Sequence, residues 1–172
     1  MIVRRETHAD PPAVRAVAEA AFGRPLEADL LDRLRACDGW LAALSLVATD
    51  PAPAAGPAPE VVGHVVCTRG HVGDVPVLGL GPLSVRPDRQ RRGVGLALVH
   101  AVLGAAEALD EPLVALLGSP EYYGRYGFRP AAELGVVSPD PGWGEYFQAR
   151  RLATHLPAPR GPFRYAPPFE EL

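Results

Sequence analysis

A chain of 172 residues, 48% hydrophobic and 22% charged, suits one soluble globular domain with a substantial core. The formal net charge of −3 disfavours a nucleic-acid track, and no apolar run reaches the length of a membrane span. The opening MIVRRETHADPP lacks the apolar centre of a secretory signal, so a cytoplasmic protein is expected, with Cys37 and Cys67 as reduced, unreactive thiols.

In chain order, IVRRE reads as a short strand. Asp10 before Pro11 then reads as a helix start, with Val14, Val17, Ala18, Ala21 and Phe22 at helical spacing and Gly23 as the stop. PLEADLLDRLRACDG repeats the pattern through Leu26, Leu30, Leu31 and Leu34. Residues 40–49 and 60–70 read as strands joined by a flexible, Pro- and Ala-rich hairpin loop over 50–60. Residues 75–85 read as a strand in which Gly79, Gly81 and Pro82 signal a bulge or a break in pairing. A long helix over 92–109, apolar on most sides, leads to a buried strand over 113–119. A short helix in PEYYGRYG, a strand from Phe128 and a last strand over 144–152 follow. The proline-rich tail, 156–172, carries Phe163, Tyr165 and Phe169, so it is expected to dock. The order is β-α-α-β-β-β-α-β-α-β-β, with antiparallel hairpins first and a parallel crossover over 75–119.

RPDRQRRGVGLAL, residues 86–98, crowds Arg86, Arg89, Arg91 and Arg92 against Gly93 and Gly95 where a strand gives way to a helix. A helix start exposes unpaired N–H groups and partial positive charge, and glycines let an anion come close. The stretch therefore reads as a pyrophosphate cradle, with a solvated basic helix start as the plainer alternative. GxxxxGK[ST] and GxGxxG are both absent, which argues against an NTPase or a nicotinamide enzyme.

Tyr123-Gly-Arg-Tyr-Gly127-Phe128 follows the next strand. The strand–QxxGxG–helix–strand–YxxxGF order resembles the GNAT N-acetyltransferase superfamily from VRRET to YFQARRL. GLGPLSVRPDRQRRGVG and GSPEYYGRYGFRPA most resemble a bacterial subgroup of predicted N-acetyltransferases, which RYAPPF also fits. The resemblance implies one α/β domain over 1–172, a GNAT-type mixed, splayed central sheet with helices on both faces. It implies acetyl-CoA as co-substrate and no metal. The pyrophosphate would lie on backbone N–H groups of Arg91, Arg92, Gly93, Val94, Gly95 and Leu96, after Gln90. The pantetheine arm would pair with Leu83, Ser84 and Val85, in a gap opened by Gly81 and Pro82. Ser119 stands where the family often has Asn, and Tyr122 could touch the cofactor.

The implied reaction moves acetyl to a primary amine by direct attack in a ternary complex, with Tyr123 serving the leaving thiolate. An acyl-CoA-binding sensor without turnover is the rival. His64 and Glu27 are the base candidates, His64 being read first as a hydrogen-bonded sheet residue and a water chain being the alternative. Arg89, Arg91 and Arg92 are expected on phosphate. The acceptor, a small-molecule or protein amine, is expected between the turn at 22–25, including Phe22 and Arg24, and a loop at 138–146 carrying Trp143. No nucleic acid or membrane partner is expected, and the chain is expected to be a monomer or homodimer.

Overall fold

A computed structural model describes residues 1–51, 59–152 and 156–171. The expected flexible loop over 50–60 thus lies largely outside the described residues. The elements are β1 (Ile2–Arg5), α1 (Pro11–Phe22), α2 (Leu26–Arg35), β2 (Ser45–Asp50), β3 (Glu60–Val72), β4 (Val75–Val85), α3 (Val94–Ala108), β5 (Leu113–Leu117) and α4 (Pro120–Tyr123). The short strands β6 (Arg129–Pro130) and β7 (Val136–Val137) follow, then β8 (Phe147–Arg151) and β9 (Gly161–Arg164).

The sheet runs β1-β2-β3-β4-β5-β8-β6, with β9 joined to β3 and β7. Its path is antiparallel except between β4 and β5, which α3 connects as a parallel crossover. Strand alternation sorts side chains to two faces. Val47, Val61 and Val66 face α1 and α2, and Val62, Val65 and Leu78 face α3. Val94, Leu98, Val99, Val102, Leu103 and Ala106 are the buried stripe of α3, whereas Leu96 is 44% exposed. One face of α3 is therefore wet, where the sequence suggested burial on most sides.

Local hydrogen bonding moves several boundaries. Residues 40–44 were expected to begin a strand. Ala42–Leu44 instead form a 3-10 turn, closed by Leu44 N–H on the Leu41 carbonyl at 2.8 Å, and pairing starts at Ser45. The strand expected last, over 144–152, starts at Phe147 because Pro141–Tyr146 coil in 3-10 turns, and it is not the last: the tail supplies β9, where only docking was expected. Asp10 stands at the N-cap of α1 without capping it; its carboxylate binds Arg4 at 2.7 and 2.9 Å and the Thr7 N–H at 2.7 Å. Leu26 is exposed, and Ala28 takes its expected place in the buried face of α2.

Two irregularities in β4 shape the molecule. Val65 faces Leu83 but Cys67 faces Leu80, so β4 carries an extra residue at Gly81 and Pro82. Gly81 has φ 140°, a conformation that L side chains rarely adopt. Beyond that bulge β4 leaves β5; the two pair only at Leu78↔Val114 and Gly79↔Ala115, while β5 stays paired with β8 to Leu117↔Phe147. The sheet is thus a V, hinged near Gly79. The tail adds β9 antiparallel to β3 at His71↔Arg164 and Val72↔Phe163, then turns back over the open end of the V.

Candidate active site

Two cavities adjoin in the V, sharing Phe22 and Leu83. The first, about 320 Å³, lies between the end of β4 and the start of α3, lined by Leu83, Val85, Gln90, Arg91, Gly95 and Tyr122 with the end of α1. The second, about 480 Å³, continues inward between β4 and β5. A third cavity of about 520 Å³ lies at Arg4, Asp10, Glu60 and Arg86, away from the V. There Arg4 is paired with Asp10 and Arg86 with Glu60, so its charges satisfy one another.

The first cavity has the backbone geometry that an anion requires. Gly93, at φ 83°, reverses the chain into α3, and the first intrahelical bond runs from Ala97 N–H to the Gly93 carbonyl at 2.9 Å. The N–H groups of Val94, Gly95 and Leu96 therefore have no acceptor within the helix. Gly95 keeps the wall open: a Cβ there would lie 2.7 Å from the Tyr122 hydroxyl. The Val94 side chain turns inward to the core and that of Leu96 outward, so of these three only Gly95 lines the cavity.

The arginines divide into two kinds. Arg89 was expected on phosphate, yet its Nε binds Asp50 at 2.8 Å and its guanidinium also binds Asp88 at 2.6 Å. Arg86 is likewise held by Glu60 and Asp88, at 2.5 and 2.6 Å. Among the described residues Arg91 and Arg92 have no ion pair, and both are exposed; Arg91 lines the cavity. Asp50 comes from β2, which sequence spacing cannot bring to Arg89.

The remaining cofactor candidates separate. Ser84 turns its side chain to the opposite face of β4, where it is 2% exposed. Ser119 is the N-cap of α4, accepting the Tyr122 N–H at 3.4 Å, and lines neither cavity. A strand-end serine ahead of a proline is a good cap, which accounts for this position without a ligand.

Tyr123 lines the second cavity, its ring edge-on to Tyr122 at 4.9 Å and Phe128 at 5.9 Å. Burial and neighbouring Tyr122 push its phenol above the ordinary value, so it is a proton-bearing donor at neutral pH. Gly118 makes room for it, since a Cβ there would lie 2.3 Å from the Tyr123 ring. The YxxxGF signature found Tyr123; nothing in the sequence marked Gly118 as its seat.

The two base candidates part company. His64 is fully buried, with Nε2 at 2.9 Å from Ser45 Oγ and 3.2 Å from Glu6 Oε2, and lines neither cavity. Burial lowers its pKa, and it belongs to the α1–α2 side of the sheet, as a structural histidine. Glu27 lines the second cavity beside Phe22, Leu30 and Trp143. Arg24 binds its carboxylate, with Nε at 3.1 Å from both oxygens, and holds it below the ordinary range. An ammonium near pKa 10.4 would give its proton to such a group at a cost of about 8 kcal/mol or more. Glu27 is therefore a counter-ion, suited to receive a cation, and a poor base. Arg24 itself, 59% exposed, stays outside the cavity lining.

Trp143 lies on the cavity wall, packed at 6.0 Å from Phe147 and 6.4 Å from Tyr165, so this part of 138–146 is anchored at its aromatic residue. Sequence reasoning missed Leu30, Leu80, Leu117, Tyr165 and Phe169 as wall residues. The aromatic spacing of the tail was the one available signal for Tyr165 and Phe169.

A family model described as Acetyltransferase (GNAT) domain matches residues 3–131. YhbS of Escherichia coli strain K12, an uncharacterised N-acetyltransferase, is 36% identical over 157 residues, covering 89% of this chain and 88% of the relative. The crystal structure of Escherichia coli YhbS in complex with CoA superposes with a TM-score of 0.87 at 28% identity, over 98% of this chain and 91% of that one. A GNAT family acetyltransferase from Brucella melitensis in complex with acetyl-CoA gives 0.75 at 29% identity, over 98% and 97%.

Proposed function

The chain belongs to the GNAT family of N-acetyltransferases, and on that premise we propose that it works as one catalytic domain, moving an acetyl group from acetyl-CoA to a primary amine within a ternary complex. The observation that carries this reading is the V between β4 and β5. It opens at one end onto the unpaired N–H groups of α3 and at the other onto Tyr123 and Glu27.

Acetyl-CoA supplies the activated thioester. The α3 amides, Arg91 and Arg92 hold its phosphates. Gly95 lets them approach the backbone. The free edge of β4 past Gly79 offers N–H groups to the pantetheine amides, and one of them to the carbonyl oxygen as charge builds there. The incoming ammonium first releases one proton through water to bulk solvent, at about 5 kcal/mol at pH 7 for an amine near pKa 10.4. Its lone pair then forms the new C–N bond, the C–S bond breaks with its electrons on sulfur, and the second N–H proton reaches the thiolate by way of water. Tyr123 serves the leaving sulfur. An unperturbed phenol near pKa 10 would protonate a thiolate near 8.5 uphill by about 2 kcal/mol. Burial raises the Tyr123 phenol further, so it stabilises the developing thiolate as a hydrogen-bond donor. This reading also explains why neither His64 nor Glu27 is needed as a base.

The test pairs binding with turnover. Acetyl-CoA is expected to raise the Tm of the protein and to be consumed, with thiol release, when primary amines are supplied. Binding without release under a broad panel of primary amines overturns the enzyme in favour of a sensor.

A further inference from the structure

Besides Tyr123, four aromatic residues from three separate segments wall the second cavity: Phe22 at the end of α1, Trp143 before β8, and Tyr165 and Phe169 in the tail. Tyr165 and Phe169 pack with ring centroids 4.7 Å apart, and Tyr165 sits 4.7 Å from buried Phe163, so the tail wall is fixed to the core. Leucines of α2, β4 and β5 complete the lining. Glu27 is the one ionised group among the described lining residues, and its partner Arg24 stands outside, on the solvent side.

We propose that this cavity is the acceptor site and takes a small primary monoamine carried on an apolar or aromatic body, its ammonium set against Glu27 and its body against the aromatic walls. The proposal rests on the amine-acetylation reading and narrows its substrate class. A carboxylate has lone pairs for more than one donor, so Glu27 can receive an ammonium while Arg24 remains on its outer side. Cation–π attraction from the rings adds to the pairing. The cavity of about 480 Å³ also takes the thioester end of acetyl-CoA along β4, so the acceptor has only the part between Glu27 and the aromatic walls, room for a small ligand. A second ammonium, or a sugar bearing several hydroxyls, would enter with polar groups that these walls leave unpaired. A lysine side chain brings its peptide backbone to the mouth with the same difficulty.

The same walls could instead hold a long acyl chain, and the Glu27 carboxylate argues against that occupant, because an alkyl tail offers it nothing while desolvating it.

The test uses the full chain loaded with CoA, so that acceptor binding is read without turnover. Calorimetry with phenethylamine and hexylamine is expected to give affinities at least tenfold above 1,6-diaminohexane and Nα-acetyl-lysine amide. Glu27→Gln is expected to weaken phenethylamine at least tenfold at unchanged CoA affinity, and Phe169→Ala to weaken it severalfold in a protein with native circular dichroism. Equal or better binding of the diamine, the lysine amide or phenylalanine overturns the assignment, as does octanoyl-CoA binding at least tenfold tighter than acetyl-CoA. Failure of the underlying reading looks different: phenethylamine binds as expected, and no acetylated amine forms from acetyl-CoA.

Discussion

The two cavities of the V are built in opposite ways. The first draws most of its lining from one run of chain, Leu83 to Gly95, and exposes backbone N–H groups at a helix start, which we propose as its recognition groups. The second takes side chains from α1, α2, β4, β5, the loop before β8 and the tail. A ligand with a constant, charged end can be met by backbone geometry that any suitable strand–helix turn provides. A variable ligand needs side chains, and those come from whichever segments the fold brings together.

Separate construction should yield separable defects. The largest is expected in the second cavity: Tyr123→Phe should lower kcat by about 10²–10³ at nearly constant acetyl-CoA affinity, since a donor to a developing thiolate acts in the transition state. Wild-type turnover, with chemistry shown to limit the rate, would remove Tyr123 from the mechanism.

In the first cavity alone, Gly93→Val should weaken acetyl-CoA about 100-fold in calorimetry. It forces a β-branched residue into φ 83°, and a misplaced α3 start misaligns every amide behind it. Gly95→Val should act similarly by pushing into the Tyr122 hydroxyl. Retained affinity in either would break the comparison at its local end.

Gly118→Ala sharpens the other end. Its Cβ would displace the Tyr123 ring, so kcat should fall about tenfold, one pKa-unit-sized step in barrier, with CoA affinity unchanged.

Arginine charge gives a smaller effect. Arg91→Ala should cost about tenfold in CoA affinity and flatten its salt dependence. Arg89→Ala, already paired with Asp50 and Asp88, should leave the salt dependence close to wild type.

The smallest effect on function belongs to a region outside both cavities. Burial works against ionised Glu6, but hydrogen bonds from His64, Ser45 and Arg35 outweigh it and hold the carboxyl at about 2. Burial meanwhile lowers His64. Both folded pKa values lie below their unfolded ones, so both contributions are present above the unfolded values and are lost as pH falls. Stability should therefore decline from about pH 6.5 downward, the Glu6 share disappearing between its ordinary carboxylate range and about 2. Glu6→Gln should cost about 2 kcal/mol at neutral pH, between exposed and buried ion-pair values, and should flatten the acid limb in urea titrations monitored by circular dichroism. A loss of acetyl-CoA affinity in this variant would tie the cluster to the cradle.

Where the sequence read correctly, the cause and its effect lie close together in the chain. Gly93 and Gly95 after a strand demand an open helix start whatever surrounds them, and the apolar spacing of α1 and α3 yields helices against any sheet. The bulge in β4 was visible in Gly81 and Pro82 for the same reason. Readings failed where a distant partner decides. WLAAL has the composition of a strand, but β3 pairs only from Ser45 and β1 from Leu46, and local turn bonding takes Ala42–Leu44. The charge on Arg89 looked free until β2 brought Asp50 to it. Ser119, read from the resemblance as a cofactor position, caps α4 through the Tyr122 N–H. The first reading of His64, a hydrogen-bonded sheet residue, fits its contacts with Ser45 and Glu6.

Residue types and local spacing thus determined the helices, seven of the nine described strands, the open start of α3 at Gly93 and Gly95, and the place of Tyr123; β7 and β9 were not read. Tertiary structure alone decided which charges remain unpaired, that Glu27 is a counter-ion, and that Tyr165 and Phe169 join Phe22 and Trp143 in walling one cavity. The physical reason is range. Backbone conformation and hydrogen-bond vacancies are set within a turn or two, whereas burial, charge pairing and cavity shape depend on side chains that meet only when β4 parts from β5 and the tail folds back across the opening.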